Sequence, residues 1–324
     1  MTAPQDWLPI AVRAHAVPQP GRGRRTGKPA AAASHTSVRP PRMPSKKNAP
    51  STLLVFDTET TTDSTQALKF GCWQYYRLLR GGGWDCVQEG LFHGDDLQRT
   101  DPAGMAVLRR YAANTWADTD HSQQRRLKLL TRGQFVEQVL FASAWHRRTR
   151  VVGFNLPFDL SRIAIGASEG RGANRGGFSF ILAAGNASKG YKERKHRPRV
   201  QIKHLNSHRA QISFTAAMGA THRWRGDFVD LRTLTFALTS RGHSLDSACA
   251  AFGVPGKADP GQHGVITPSY IDYCRQDVTA TAALYQAADT ELTKLQLPLT
   301  APYAYSPASL AKATLTDLGV RPVL

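Results

Sequence analysis

The chain has 324 residues, 41% of them hydrophobic, and carries a formal net charge of +18. That length accommodates one large domain or two small ones with a packed core. There is no uninterrupted apolar run of membrane-span length and no apolar leader at the N-terminus. The four cysteines (Cys72, Cys86, Cys249, Cys274) form neither a CxxC pair nor a zinc-spaced set with histidine, which argues against a membrane protein, a secreted disulfide scaffold and a zinc module. They read as reduced, structural thiols in a cytoplasmic protein.

Residues 1–50 hold nine prolines and nine Lys/Arg against one acid, Asp6. Their apolar residues are too sparse for a core, so a disordered basic tail is expected. It either adds non-specific phosphate affinity or serves only as a solvated leader. From 51 the texture changes. STLLVFDTET reads as a buried strand, and ALKFGCWQYYRLL and DCVQEGLFHG read as a hairpin about Gly81-Gly82-Gly83. Residues 102–115 and 133–147 carry helical spacing, with Val136, Val139, Leu140 and Ala144 on one face. RVVGFNLPFDL reads as an apolar strand ending in an acid, followed by a short helix at LSRIAIGA.

RVQIKHLNSHRAQISF reads as a basic hairpin turning at Asn206-Ser207, and GDFVDLRTL as a further strand. SLDSACAAFGV is a helix opened by Ser244 and closed by Gly253. TPSYIDYCRQDVTATAALYQAADTEL is a long helix with Thr267 as N-cap and Pro268 first inside it, and SPASLAKATLTDLG starts a last helix the same way. The sum is an α/β fold, a hairpin-rich sheet with parallel crossovers and helices packed on it.

Charge is localised. Residues 160–226 hold thirteen Lys/Arg against two acids, Glu169 and Glu193, and this block falls between acidic motifs. It suggests a polyanion partner, against the plainer reading of a generic arginine excess. Within it, Lys189–Arg199 is either a mobile basic loop or a guide for a phosphate backbone.

Three segments belong together: Asp57-Thr58-Glu59 in the first strand, Asn155 to Asp159 beyond the second, and Tyr273 to Asp277 in the long helix. Asp57 and Glu59 share a strand face, and Tyr273 and Asp277 share a helix face. Like charges this close repel unless a cation lies between them. Two hard divalent ions held by carboxylates clamp the attacking and leaving oxygens of a phosphodiester, and a tyrosine hydroxyl one turn from a ligand orients the attacking water. Singly, each motif is commonplace: a solvated acidic loop, a turn, a surface pair.

In their order, FDTET, GFNLPFD and YCRQD resemble the three exonuclease motifs of the DEDD 3′–5′ exonucleases. Tyr273 points to the DEDDy branch found in the proofreading domains of family B DNA polymerases, with the closest likeness to protein-primed polymerases of phages and linear plasmids. SLDSACAAFGVPGKAD and SPASLAKATLTDLGV resemble further segments of that family, so the likeness covers about residues 51–320. It implies a ribonuclease H-like mixed sheet flanked by helices over 51–292, and a 293–324 extension like the start of the connection to a polymerase domain.

The same resemblance implies two Mg²⁺ or Mn²⁺ ions on Asp57, Glu59, Asp159 and Asp277, with Tyr273 positioning the water and Lys257 near the scissile phosphate. It places contacts to a single-stranded DNA 3′ end at Thr60, Asn155, Phe158, Ser244 and Leu245. The polymerase palm motifs are absent, so a separate polymerase chain enters as a partner and polymerisation by this chain is not expected. The expected function is a 3′–5′ exonuclease on single-stranded or frayed DNA. The alternatives are a catalytically idle single-strand-binding module and an RNA-trimming exonuclease.

Plain readings are preferred elsewhere. Asp230 is a strand-end cap with a supporting site role as the alternative, and Asp246 is a first-turn acid. His243 is a surface loop residue, Phe154 belongs to the core, and Trp73, Tyr75 and Tyr76 line a sheet face.

Overall fold

A computed structural model of the chain describes residues 50–119, 125–185, 193–219, 224–256 and 264–320. The expected tail at 1–50 lies, apart from Pro50, outside the described residues, as does Lys257. Strand β1 (Thr52–Thr60) is central. Its alternation sends Leu53 and Val55 into one core and Leu54 and Phe56 into the other, so the sheet is covered on both faces. β1 pairs antiparallel with β2 (Leu68–Leu78), and β2 pairs antiparallel with β3 (Trp84–His93). Gly82 and Gly83, at φ 85° and 80°, make the expected turn between them.

Two helices follow, α1 (Leu97–Thr100) and α2 (Pro102–Asn114). β4 (Lys128–Thr131) then joins β3 in parallel. A short α3 (Arg132–Gln134) leads into a π-helix over Phe135–His146. β5 (Arg150–Gly153) returns parallel to β1, and α4 (Leu156–Arg162) leaves it. A second, four-stranded antiparallel sheet comes next: β6 (Gly166–Glu169), β7 (Phe178–Ile181), β8 (Val200–Asn206) and β9 (Arg209–Phe214).

The chain re-enters the first sheet at β10 (Phe228–Asp230), parallel to β5. It ends in α5 (Leu231–Thr239), α6 (Leu245–Ala251), α7 (Pro268–Lys294) and α8 (Pro307–Asp317). The first sheet thus has the order β10-β5-β1-β2-β3-β4. Residues of α2, α5, α6 and α7 pack on the Leu53 face. The π-helix, α4 and the second sheet pack on the Leu54 face. The expected α/β class, a mixed sheet flanked by helices, is what the chain forms.

Four local readings need correcting. The 133–147 segment is mostly π-helix, because its buried pairs Phe135-Val136, Leu140-Phe141 and Ala144-Trp145 recur five then four residues apart, wider than an α-turn. The strand expected to run to Asp159 stops at Gly153, since Asn155 turns left-handed and α4 opens at Leu156, ahead of the LSRIAIGA helix. GDFVDLRTL is strand for three residues only, because Asp230 caps α5. Finally, part of the 189–199 loop is anchored: Arg194 and Arg197 pair with Glu137 at 3.1 and 2.9 Å, and Arg199 pairs with Glu193 at 2.7 Å.

Candidate metal centre

β1 outruns its parallel neighbour. Its pairing with β5 ends at Val55, opposite Val152, whereas its pairing with β2 continues to Thr60. Asp57 and Glu59 therefore sit beyond the carboxyl end of β5, on the face that carries Leu53 and Val55. The neighbouring strand crowds this end. A Cβ on Gly71 would lie 2.5 Å from the Asp57 carbonyl oxygen and 2.3 Å from the Phe92 ring, so only glycine fits opposite the acids. A register irregularity between Glu59 and Thr60 bends the strand here.

Helix α7 covers the same face. Thr267 caps it, accepting from the Tyr270 N–H at 3.1 Å, and Pro268 occupies its first turn. Tyr270, Tyr273, Cys274 and Asp277 then recur at helical spacing on one side, all buried. The Tyr270 hydroxyl donates to Glu59 Oε2. Among the described residues, ligand atoms of Asp57, Glu59 and Cys274 lie within 4.8 Å of one another. Tyr273 donates to Asp277. Burial first, then Asp277, Glu59 and Asp57, hold its hydroxyl protonated well above the usual range for tyrosine.

Asp159 approaches from the opposite face. It lies in the first turn of α4, 2% exposed, and accepts the Thr58 hydroxyl at 2.7 Å. Burial pushes its carboxyl well above the ordinary value, and the charges of Asp230 and Glu59 push it further. Asp230 accepts from the Leu156 N–H at 3.1 Å, and from Thr233 at 3.1 Å (N–H) and 2.6 Å (hydroxyl). It ties α4 and α5 to the end of β10 and so fixes where Asp159 stands. The preferred reading of Asp230 as a strand-end cap holds: it caps α5 and also accepts from the first N–H of α4.

The structure brings Asp57 and Glu59 into one compact cluster with Cys274, with Tyr273, Asp277 and Asp159 around it but outside that cluster. Carboxylates massed this way in a buried corner repel one another unless a cation compensates. Asp57, Glu59 and Cys274 form a group able to hold one metal ion.

The remaining expected contacts divide. Asn155 holds φ 66°, ψ 40°, a left-handed conformation that costs a non-glycine residue energy and is held here by the turn into α4. Phe158 is half-buried, with the Arg162 guanidinium 4.9 Å over its ring, and Thr60 is half-buried at the strand irregularity. Ser244 acts as the α6 cap, accepting from the Ser247 N–H at 3.2 Å. Leu245 is 9% exposed and belongs to the core, so it offers a ligand little surface. Phe154 also packs on that core, as read, and His243 bonds Thr239 within the surface turn.

Tyr270, Thr58 and Cys274 were missed as parts of the site. Helical spacing from Tyr273 and Asp277 would have found Tyr270, whereas no sequence signal marks Thr58. No protein-family model and no curated protein matches this sequence.

Proposed function

We propose that this chain is a metal-dependent 3′–5′ exonuclease acting on single-stranded or frayed DNA ends. One observation carries the reading: the Asp57–Glu59 cluster at the end of the central strand has Asp159 of α4 and the Tyr273–Asp277 pair of α7 around it, in the order of the DEDDy motifs. The sheet order, with three antiparallel strands followed by two parallel crossovers, agrees with a ribonuclease H-like core. Ligands of open α/β sheets gather at such strand ends.

Asp57, Glu59, Asp159 and Asp277 are the residues that would hold the divalent ions. When bound, such ions neutralise phosphate charge and acidify water. Tyr273, kept as a neutral phenol by its surroundings, offers a hydrogen bond to orient the attacking water. Thr58 fixes the Asp159 carboxyl and Tyr270 fixes that of Glu59, so neither needs to reorganise during turnover. Phe158, Asn155 and Thr60 would contact the 3′ end, with the Phe158 ring offered for stacking on a base.

The test is a 5′-labelled oligonucleotide incubated with Mg²⁺ or Mn²⁺. A ladder shortening from the 3′ end is expected, abolished by a chelator. Asp57→Ala with Glu59→Ala should lower the rate at least about 10²–10³-fold, the scale of losing one preorganised transition-state contact. No ladder, or an unchanged ladder in the double variant, refutes the reading. DNA and RNA strands run side by side decide the sugar preference.

A further inference from the structure

We infer that the carboxylates of Asp57 and Glu59 form, together with the Cys274 thiol, a mixed oxygen–sulfur site for a thiophilic divalent cation such as Zn²⁺ or Cd²⁺. Three donors from two elements converge: two carboxylates from β1 and one sulfur from α7, all within 4.8 Å of one another. Zinc lies about 2.3 Å from sulfur and about 2.0–2.2 Å from carboxylate oxygen, so side-chain shifts of about 1 Å bring this set onto one ion. Three protein donors leave the fourth tetrahedral position to water, the arrangement of open zinc sites.

The surroundings suit a bound cation of this class. Cys274 is fully buried and Glu59 is 9% exposed, so little water competes for the donors. Glu59 is already oriented by the Tyr270 hydroxyl, as outer-shell partners orient metal ligands elsewhere. Behind Cys274 lies a second buried thiol, Cys72, hydrogen-bonded to it and directly across the strand pair from Asp57. A hard ion takes oxygen and leaves the sulfur aside, whereas a softer ion gains a strong third ligand. Ligation forms the metal–sulfur bond and releases the thiol proton to water. The inference shares Asp57 and Glu59 with the proposed exonuclease site, and it predicts that thiophilic ions occupy that site in competition with Mg²⁺ or Mn²⁺.

The test reads binding, not hydrolysis. Titrating the full chain with Cd²⁺ should give a saturable ultraviolet thiolate-to-cadmium charge-transfer absorption at one equivalent, lost in Cys274→Ser and retained in Cys72→Ser. Asp57→Asn should weaken the cadmium affinity by about 10-fold or more, at least the loss that outer-shell partners alone cause. Should Cys274→Ser fail to fold, Asp57→Asn carries the same decision. The inference is overturned by absence of the band, by its survival in Cys274→Ser, or by an unchanged affinity in Asp57→Asn. A protein that binds cadmium this way but degrades no oligonucleotide sinks the nuclease reading and leaves this one standing. A nuclease with no cadmium band does the reverse.

Discussion

At the scale of single residues, the site depends on groups that touch ligands only through others. Tyr270 is the clearest case. Its hydroxyl donates to Glu59 Oε2, while its ring packs edge-on against Phe70 at 5.4 Å. Tyr270→Phe removes the hydroxyl and keeps the ring. The expected result is divalent-ion affinity about 10–100-fold weaker, as for outer-shell partners in general, with the thermal midpoint little changed. A titration calorimetry isotherm beside a melting curve separates this from a packing role, and equal affinities for both proteins would show that Tyr270 is only core. Asp57, Glu59, Tyr273 and Asp277 stood out from the sequence because a strand or helix face is defined within a few residues. Thr58 could not, because its meaning comes from Asp159, which is 101 residues away.

At the scale of elements, α7 is held from behind by a buried ion pair. Arg275, which lies inside the YCRQD motif, meets both carboxylate oxygens of Glu89 on β3 at 2.8 Å. The Glu89 side chain is 1% exposed and that of Arg275 is 16% exposed. Breaking one partner leaves a buried charge, so Glu89→Gln or Arg275→Met alone should destabilise by about 3–5 kcal/mol. The double variant Glu89→Leu with Arg275→Met should recover much of that loss, since apolar replacement of a buried pair is often neutral. A double-mutant cycle by urea unfolding measures the coupling, and strictly additive losses would contradict it. The same scale explains where local reading failed. The caps of α6, α7 and α8 are short-range signals and were legible. The π-turn of 135–146 was not: which of its residues form the widely spaced buried pairs emerges only against the sheet, where Phe135 stacks on Phe92 at 4.0 Å and tilts against Phe56 at 5.4 Å.

At the scale of the whole molecule, one buried arginine fastens the second sheet to the first layer. Arg132, 7% exposed, donates to Asp95 at 2.7 Å and to the carbonyls of Ile163 and Leu182, each at 3.0 Å. It thereby joins the end of β3, the end of α4 and the exit from β7. Arg132→Met should leave two buried carbonyls without this donor and cost about 1–3 kcal/mol. Amide hydrogen exchange should speed up across β6–β9 more than across β1–β3. A uniform increase over both sheets would mean that the sheets open as one unit.

The sequence by itself determined the α/β class, the buried β1, the β2–β3 hairpin, the capped helices α6–α8, and the two pairs Asp57/Glu59 and Tyr273/Asp277. Those features follow from periodicities of two and 3.6 residues and from caps within one turn, which any stretch carries alone. The tertiary structure alone decided that β5 stops short and opens the end of β1. It also decided that Asp159 leaves a left-handed turn onto a helix, and that residues 166–214 build a second sheet. Thr58 gained its contact with Asp159, and Cys274 its place beside Asp57 and Glu59, the same way. Each of these depends on which crossover lies beside which strand, and that is fixed by burying both faces of one sheet at once, a condition no local stretch can express.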